Sequence, residues 1–270
     1  MRAIDFSLLS AGVVAPGLES LAALRALDQA GQAFDLEQAI ALPGPSILPP
    51  NERRRSTQAI RLALACAERA LAGGPVAAQT IRTVFASDEG TGEVCAQMLE
   101  ALATTRQVSP LTFPNSVLNA GSGYFSIGFQ NQSPSMVVSQ GADSFAAGLL
   151  CALGEAIAWG EPVMLIAYDP VLPSPLDECL AVRVPTGLGM IIEAGLKQDR
   201  HLGRFRLRTE QRPGYRPRHL PAWIPDHWKA NSSVPGLALL SLTQELSELE
   251  LPLGGLSLFV TRTDGDRLGT

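Results

Sequence analysis

The sequence predicts an α/β protein with helices layered on a largely buried sheet, and three observations support this. Through the first two-thirds of the chain, apolar runs of strand length alternate with longer runs of helical period. Hydrophobic residues make up 46% of the 270 residues and charged residues 17%, which is typical of a well-buried globular protein. The chain is also long enough for an ample core. This length allows one large domain or two small ones, and the resemblance described below implies a single domain over residues 1–270.

The predicted helices follow from periodicity and from stop signals. Ile60, Leu64 and Leu71 recur at helical spacing ahead of a Gly-Gly-Pro sequence, which predicts a helix over 51–73. Turn residues precede each of the other predicted helices, and the helix predicted over 144–159 is a long apolar run. These helices cover 93–103, a segment beginning near Ser116, 144–159 and 236–249.

The predicted strands are short apolar runs between turn signals. They cover 83–89, 135–139, 162–168, 180–185, 189–195, 204–209 and 256–263. The three between residues 180 and 209 alternate polar with apolar residues, so we expect them to be antiparallel. Four prolines between residues 211 and 228 exclude a regular helix or a central strand there, and predict a loop within the domain.

The composition excludes several classes of function. A net charge of −5 does not suggest a nucleic-acid partner, and Gly, Pro or Glu interrupts every long apolar run, so we expect no membrane span. The N-terminus lacks the features of a signal peptide. Four scattered cysteines without metal-ligand spacing indicate reduced thiols in a cytoplasm and no metal. The Gly-rich stretches 86–93 and 119–124 match no phosphate-binding loop, and we expect no cofactor.

The sequence Ser-Gln-Gly-Ala-Asp-Ser at 139–144 lies between a predicted strand and a long predicted helix. Asp143 or Ser144 is an ordinary helix cap, because either side chain can accept a hydrogen bond from free backbone N–H groups. The alternative is a catalytic turn with Ser144 as nucleophile. Ala142 and Ala146 stand where the GxSxG pattern needs glycine, however. A serine nucleophile also needs a base, and no pattern brings a histidine to Ser144.

The three histidines, His201, His219 and His227, all lie in or near the Pro-rich region. Cys151 falls inside the long helix among leucines, where a core position is the simplest interpretation. The run Arg53, Arg54 and Arg55 is either a solvated face or a docking patch for an acidic partner.

Three stretches together resemble the N-terminal part of a β-ketoacyl-ACP synthase. They are LPPNERRRSTQAIRLALACAERAL, TVFASDEGTGE and FPNSVLNAGSGYFSIGFQNQSPSMVVSQGADSFAAGLLCALGEAIAWGEPVMLIAYD. More narrowly, the chain resembles the short chain length factor proteins of bacterial aryl polyene clusters. The resemblance covers residues 49–195 well and the two ends loosely. It implies a thiolase-like fold with α/β/α/β/α layers, shortened relative to full-length synthases.

The resemblance also implies which catalytic groups are missing. Active synthases carry an acyl-accepting cysteine in the turn after the PSMVVS strand, where the helix N-terminus lowers the pKa of the thiol. The matching position here is Ala142 or Asp143, neither of which can form a thioester. The two catalytic histidines of a synthase come from its C-terminal half, which we expect this chain not to carry intact. None of its own histidines stands in a similar motif.

The function that the resemblance implies is a non-catalytic subunit that pairs with an active ketoacyl synthase and shapes its acyl tunnel. The PSMVVS strand would form the dimer seam, with a homodimer as the alternative when the partner is absent. Acyl carrier protein is a further expected partner, with Arg53, Arg54 and Arg55 as its docking candidates. The expected interface or tunnel positions are Asn115, Ser116, Asn119, Tyr124, Phe125, Ser135, Val137 and Ser139.

Three alternatives remain open at the sequence level. Tyr124 and Phe125 can instead fill the core of this chain. The chain can be an enzyme that uses Asp143 or Ser144 in another acyl-group reaction, or that decarboxylates malonyl groups at Gln140–Ser144. Gln140 precedes the cysteine position by two or three residues, so the role of glutamine in decarboxylating relatives does not transfer to it. The chain can also be a scaffold that recruits acyl carrier protein.

Overall fold

The computed structural model describes residues 3–18, 20–30, 38–88, 90–179, 182–196, 201–212, 220–242 and 248–263. Their strands are β1 (Ile4–Val14), β2 (Arg82–Ala86), β3 (Ser135–Val138), β4 (Val163–Asp169), β5 (Thr186–Ala194), β6 (Gly203–Gln211), β7 (Glu248–Leu253) and β8 (Leu256–Arg262). Their helices are α1 (Leu21–Ala30), α2 (Pro50–Arg55), α3 (Gln58–Ala72), α4 (Gly92–Thr104), α5 (Ala120–Phe129), α6 (Ser144–Trp159), α7 (Leu176–Cys179) and α8 (Val234–Leu240).

All the described strands lie in one mixed sheet, in the order β3-β2-β4-β5-β1-β6-β8-β7. The strands β3, β2 and β4 are parallel to one another, and the remaining neighbours are antiparallel. Every residue of β4 is buried, as expected of a strand covered on both faces. As predicted, β5 and β6 each pair with their neighbours in antiparallel fashion, and both pair with β1, which lies between them.

Helices cover both faces of this sheet. On one face α3 and α5 pack over β1, β5, β4 and β2, around a core that includes Phe85 and Phe125. On the other face α6, α8 and α1 enclose the larger core, which includes Phe145 and Leu165. The α/β prediction is confirmed. The five-layer scheme needs a second sheet, however, and because the described strands form a single sheet the layers of this chain are helix, sheet and helix.

Most predicted elements occur close to their predicted bounds, and four need correction. The helix predicted over 51–73 is two helices, because the Thr57 hydroxyl accepts the Ile60 N–H at 3.3 Å and begins α3 afresh. The helix predicted near Ser116 begins at Ala120, after a 3₁₀ turn over Phe113–Asn115. No strand occupies 182–185, the described part of the predicted strand 180–185. The helix predicted over 236–249 ends at Leu240, and Glu248 already begins β7.

Apart from Gln211, the last residue of β6, the described part of the Pro-rich segment contains no strand and no α-helix. Residues 220–228 contain a 3₁₀ turn over Asp226–Trp228, while 213–219, with His219, lie outside the described residues. Within the described chain, one segment, Gly141–Trp159, is apolar and long enough to cross a membrane, with a mean hydropathy of 1.3. Half of it is buried against the sheet. A core helix has the same composition, so the segment is weak support for a membrane span.

Candidate functional site

The turn between β3 and α6 has the geometry of a nucleophile elbow. The strand ends at Val138, the helix begins at Ser144, and two backbone hydrogen bonds close the turn. The Asp143 N–H donates to the Gln140 carbonyl at 3.1 Å, and the Ser144 N–H donates to the Gly141 carbonyl at 3.0 Å. Gly141 has a φ of +57°, a left-handed conformation that glycine adopts at little cost. The segment 139–144 is called the elbow below.

Ser144 stabilises the elbow from inside. Its side chain is fully buried, and its hydroxyl accepts the Gln140 N–H at 2.9 Å while donating to the Gly141 carbonyl at 2.7 Å. A hydroxyl held in this way points into its own turn. Asp143 occupies the cap position but its side chain makes no capping hydrogen bond, which corrects the predicted cap. Its carboxylate accepts the N–H of Gly254, at 3.3 Å, from the turn between β7 and β8.

The space behind the elbow is filled by the protein itself. A cavity of about 10 Å³ remains there, which is room for about one water molecule. Phe145 and Ala146 of α6, Pro235 of α8, and Leu251 and Pro252 of β7 line it together with Ala142 and Asp143 of the elbow. This cavity is too small to hold an acyl chain.

Neither of the two histidines in the described part of the chain lines this cavity. His201 and His227 lie just before β6 and in the 3₁₀ turn of the Pro-rich segment, and neither lines the cavity. Burial raises the pKa of the thiols of Cys66 and Cys151, which makes both poor nucleophiles. Within the described part of the chain, no three His, Cys, Asp or Glu side chains are grouped to hold a metal ion.

Asp169 forms a buried polar network near the elbow, at the end of the sheet where the parallel strands β2, β3 and β4 finish. Its first carboxylate oxygen accepts the Ser87 hydroxyl at 3.0 Å and the Asp88 N–H at 2.8 Å. The second oxygen accepts the Ser232 hydroxyl at 2.6 Å and the Ser233 N–H at 3.1 Å. These bonds tie the ends of β2 and β4 to the residues that precede α8. The sequence patterns gave no sign of this network.

The predicted interface positions separate into an interior and an exposed group. Phe125 and Tyr124 are buried in this chain's own core, and burial raises the pKa of the Tyr124 phenol. Asn115 is also buried, with its amide donating to the Arg55 carbonyl at 3.0 Å. The exposed or half-exposed positions are Ser116, Asn119, Ser135, Val137 and Ser139. The core interpretation of the two aromatic residues is therefore the better one.

The three arginines predicted to form a docking patch have different environments. Arg53 is half-buried and its guanidinium donates to the carbonyls of Ser46 and Leu48, at 2.9 and 3.0 Å. Arg54 is exposed and hydrogen-bonded to Asn51. Arg55 is exposed and 3.9 Å from a carboxylate oxygen of Glu52. Arg53 thus holds the preceding loop, and Arg54 and Arg55 face solvent.

The two edges of the sheet differ in chemistry. At one end, β7 carries Glu248, Glu250 and Pro252, and charged or proline residues on an edge strand discourage pairing with another chain. At the other end, β3 has the sequence Ser-Met-Val-Val, without a charge or a proline, and Met136 is 40% exposed. No described strand pairs with its outer side. The β3 edge is therefore the one suited to pairing.

An apolar surface, which the sequence analysis missed, lies on α4 and the loop after it. One residue of α4, Val94, is buried, although the helix carries no charge beyond Glu93 and Glu100. This surface, called the apolar arm below, contains the large exposed side chains Leu99, Leu102, Leu111, Phe113 and Val117. The low charge of α4 was the available signal, because a helix that projects into water is normally polar on its outer side.

A family comparison decides where this fold belongs. Residues 28–216 match the model of the family described as "Beta-ketoacyl synthase, N-terminal domain", which is more than two-thirds of the chain. The chain belongs to this ketoacyl synthase family. Its sheet, its two helical layers and the elbow accordingly represent the thiolase-like fold that the sequence resemblance predicted. No curated protein matches the sequence significantly.

Solved structures give the same fold. A chain from the complex of ketosynthase (ApeO) with its chain length factor (ApeC) from Xenorhabdus doucetiae superimposes with a TM-score of 0.73 at 20% identity, covering 97% of this chain and 100% of that one. The ishigamide ketosynthase/chain length factor gives 0.59 at 18% identity, over 76% and 67% of the two chains. A β-ketoacyl synthase from Burkholderia phymatum gives 0.58 at 10%, over 88% and 70%. At these identities the likeness establishes the fold.

Proposed function

We propose that this chain is a non-catalytic subunit, of the chain length factor type, that pairs with an active β-ketoacyl synthase. The observation that carries the proposal is the elbow, which keeps the strand–turn–helix geometry but holds Ala142 and Asp143 where a nucleophile would stand. Ser144 is bonded within the turn, and about 10 Å³ of space remains behind it. The match over the whole length of a chain from a ketosynthase–chain length factor complex supports the proposal.

The synthase would pair through the β3 edge. An antiparallel strand from the partner would continue the sheet beyond β3, with Ser135, Val137 and Ser139 at the seam. The absence of charge and proline from β3, in contrast to β7, supports this choice of edge. A homodimer through the same edge is the expected state when the synthase is absent.

The apolar arm would form this chain's contribution to the acyl tunnel. Phe113 is 60% exposed and Leu111 is 64% exposed, so both can contact a partner or its acyl chain without any change in the core. Tyr124 and Phe125 are unsuitable for this role because they fill the core. Asn119 and Ser116, which lie beside the arm, would line its border with the synthase.

The substrate would be a growing polyene chain on acyl carrier protein. Arg54 and Arg55, which are exposed, are the candidates for contacts with that acidic carrier, whereas Arg53 is held by loop carbonyls. A charge reversal at both exposed arginines would weaken carrier binding, with the salt dependence expected of an electrostatic contact.

The test is co-expression with a full-length β-ketoacyl synthase from the same organism, followed by labelling with a malonyl thioester analogue. We expect a stable complex in which the synthase carries the covalent label and this chain carries none. The Ser144→Ala variant would give the same pattern. A label on this chain that Ser144→Ala or Asp143→Asn abolishes would instead support catalysis at the elbow, the alternative from the sequence.

A further inference from the structure

A cleft of about 410 Å³ lies between α3 and the loop over residues 41–46, on the face of the sheet opposite α6. Arg61, Ala65 and Glu68 recur along α3 at spacings of four and three, so one side of this helix lines the cleft. Sites for small molecules typically have volumes of roughly 300–1,000 Å³. This cleft therefore has the size of a small-molecule site, unlike the cavity behind the elbow.

Arginine side chains hold both ends of the loop that borders the cleft. Nη1 of Arg61 donates to the Leu42 carbonyl at 3.5 Å, and the Arg53 guanidinium donates to the Ser46 carbonyl at 2.9 Å. Leu42 and Ala65, which also line the cleft, are partly buried and pack against the core on this face of the sheet. The cleft therefore has an apolar part and is bounded by an anchored loop.

Two guanidinium groups line the cleft, and neither has an acidic partner among the residues that the structure describes. Nε of Arg61 donates to the Ser56 carbonyl and hydroxyl, both at 3.1 Å, and Nη1 of Arg69 donates to the Val13 carbonyl. Nη2 of Arg61, and Nε and Nη2 of Arg69, have no acceptor in that part of the chain. A guanidinium held in place with free N–H groups is suited to binding a carboxylate.

The third charged group of the cleft is the carboxylate of Glu68. This side chain is half-buried, and no hydrogen bond or ion pair joins it to another described residue. Burial raises the pKa of its carboxyl, and neither Arg61 nor Arg69 offsets that shift. A partly buried carboxylate without a partner carries a desolvation cost, which a bound ammonium group would offset.

We propose that this cleft binds a small zwitterion with an apolar body, which is the chemistry of an apolar amino acid. The free N–H groups of Arg61 and Arg69 bind its carboxylate, and Glu68 binds its ammonium group. Leu42 and Ala65 contact its apolar part. A simple anion or a simple cation would leave charges of one sign in the cleft without a partner. The site does not depend on the proposed pairing with a synthase.

The test titrates the full chain with L-leucine and with L-phenylalanine by calorimetry. Glu68→Gln is expected to raise the Kd for L-leucine by about tenfold or more, because the ammonium group loses its charged partner. Arg69→Gln is expected to raise it by a similar factor through the carboxylate. Glu100→Gln is the matched control, since it makes the same change at an exposed carboxylate of α4 and should bind as the wild type does. Thermal melting of each variant verifies the fold.

Two analogues of leucine test each end of the ligand separately. N-acetyl-L-leucine lacks the ammonium group and L-leucinamide lacks the carboxylate, so each is expected to bind the wild-type chain about tenfold more weakly than L-leucine or worse. Glu68→Gln should leave the Kd for N-acetyl-L-leucine unchanged, because that analogue has already lost the group that contacts Glu68. Arg69→Gln should likewise leave the Kd for L-leucinamide unchanged.

Three outcomes would overturn the proposal. If neither amino acid binds the wild-type chain, the cleft is not a site for this class of ligand. If inorganic phosphate binds as tightly as L-leucine, the cleft is a site for simple anions and Glu68 has no part in it. If L-leucine binds the wild type, Glu68→Gln and Arg69→Gln with equal affinity, it binds outside the cleft. None of these outcomes bears on the pairing with a synthase.

Discussion

Among single residues, Asp169 accepts four hydrogen bonds, at the end of the sheet where the elbow lies. It is fully buried, yet four donors from two loops surround its carboxylate. A buried charge is tolerable when its hydrogen bonds replace those of water, and it becomes costly when its partners are left unpaired. The network therefore fixes the ends of β2 and β4 where the elbow also lies.

Asp169→Ala is expected to lower the free energy of unfolding by about 3 kcal/mol or more, because two hydroxyls and two N–H groups lose their acceptor. Urea denaturation measures this loss. Asp226→Ala is the control, since that carboxylate is 95% exposed and pairs with Lys229 at the surface, where ion pairs contribute little. Equal stability of the two variants would contradict the structural role of Asp169.

The three arginines at 53–55 give a prediction that distinguishes a side chain that holds a loop from one that faces solvent. Arg53→Ala is expected to lower the free energy of unfolding by roughly 1–2 kcal/mol, because it removes two hydrogen bonds to loop carbonyls. Arg54→Ala is expected to leave stability unchanged, because its side chain is exposed. Thermal melting of the two variants checks this prediction. A destabilised Arg54→Ala variant beside a stable Arg53→Ala variant would show that Arg54, and not Arg53, holds the loop.

Glu68 of α3 gives a prediction of pH dependence. Burial raises the pKa of its carboxyl, so ionisation of Glu68 disfavours the folded state. Below about pH 4, near the ordinary value, both states are protonated and this cost is absent. As the pH rises through the folded pKa the cost becomes complete. Glu68→Gln is therefore expected to be more stable than wild type at pH 7 and equal to it at pH 3.5. Equal unfolding curves at pH 7 would rule this out.

At the scale of elements, the sequence predicted those with a clear period or a clear stop. The strand β3, the helix α6 and the strand β4 appear almost as predicted, because turn residues bound each of them. The first strand was not predicted, since β1 is buried on both faces and shows no alternation. The serines of β1 also made the strand hard to predict, because polar residues here lie inside the fold. The Ser7 and Ser10 hydroxyls donate to the carbonyls of Gly195 and Ala70.

The site likewise has a part that the sequence could predict and a part that it could not. The proposal that the nucleophile is missing could be made from one turn, since Ala142 and Asp143 are adjacent in sequence to the elbow's own strand and helix. The filled cavity was not recognisable, because its walls include Pro235 and Leu251, which lie about a hundred residues further along the chain. Tertiary contacts of that separation leave no local pattern. The same reason explains why Tyr124 and Phe125 could not be assigned to core or tunnel from sequence.

The contact between α3 and β1 provides a prediction at this scale. An added Cβ at Gly12 would lie 2.4 Å from the Arg69 Cβ and 2.5 Å from the Ala70 backbone nitrogen, so helix and strand would have to separate. Gly12→Ala is expected to destabilise the fold by about 2 kcal/mol or more, as overpacking does. Gly154→Ala of α6 is the control, because nothing lies within 4 Å of its added Cβ. It is expected to stabilise the fold by about 0.5–1 kcal/mol.

For the whole molecule, the two ends of the sheet differ in charge. The β7 end of the sheet carries alternating ion pairs, with Arg208 bound to Glu248 at 2.8 Å and Arg212 to Glu250 at 3.6 Å. The β3 end carries an uncharged edge, and the apolar arm exposes further large apolar side chains. Exposed apolar surface of this kind is typical of protein interfaces, which agrees with the proposed partner at the β3 edge.

The most direct test of the central claim is the length distribution of acyl products made by the reconstituted complex. We expect the Phe113→Ala complex to be intact and active and to make longer products, because removing an exposed ring of the apolar arm would enlarge the tunnel. The Leu196→Ala complex should make products of wild-type length, because Leu196 is an exposed apolar residue outside the apolar arm. Unchanged product lengths for Phe113→Ala and for the corresponding Leu111→Ala variant, in a complex that remains active, would contradict the claim that this chain shapes the tunnel.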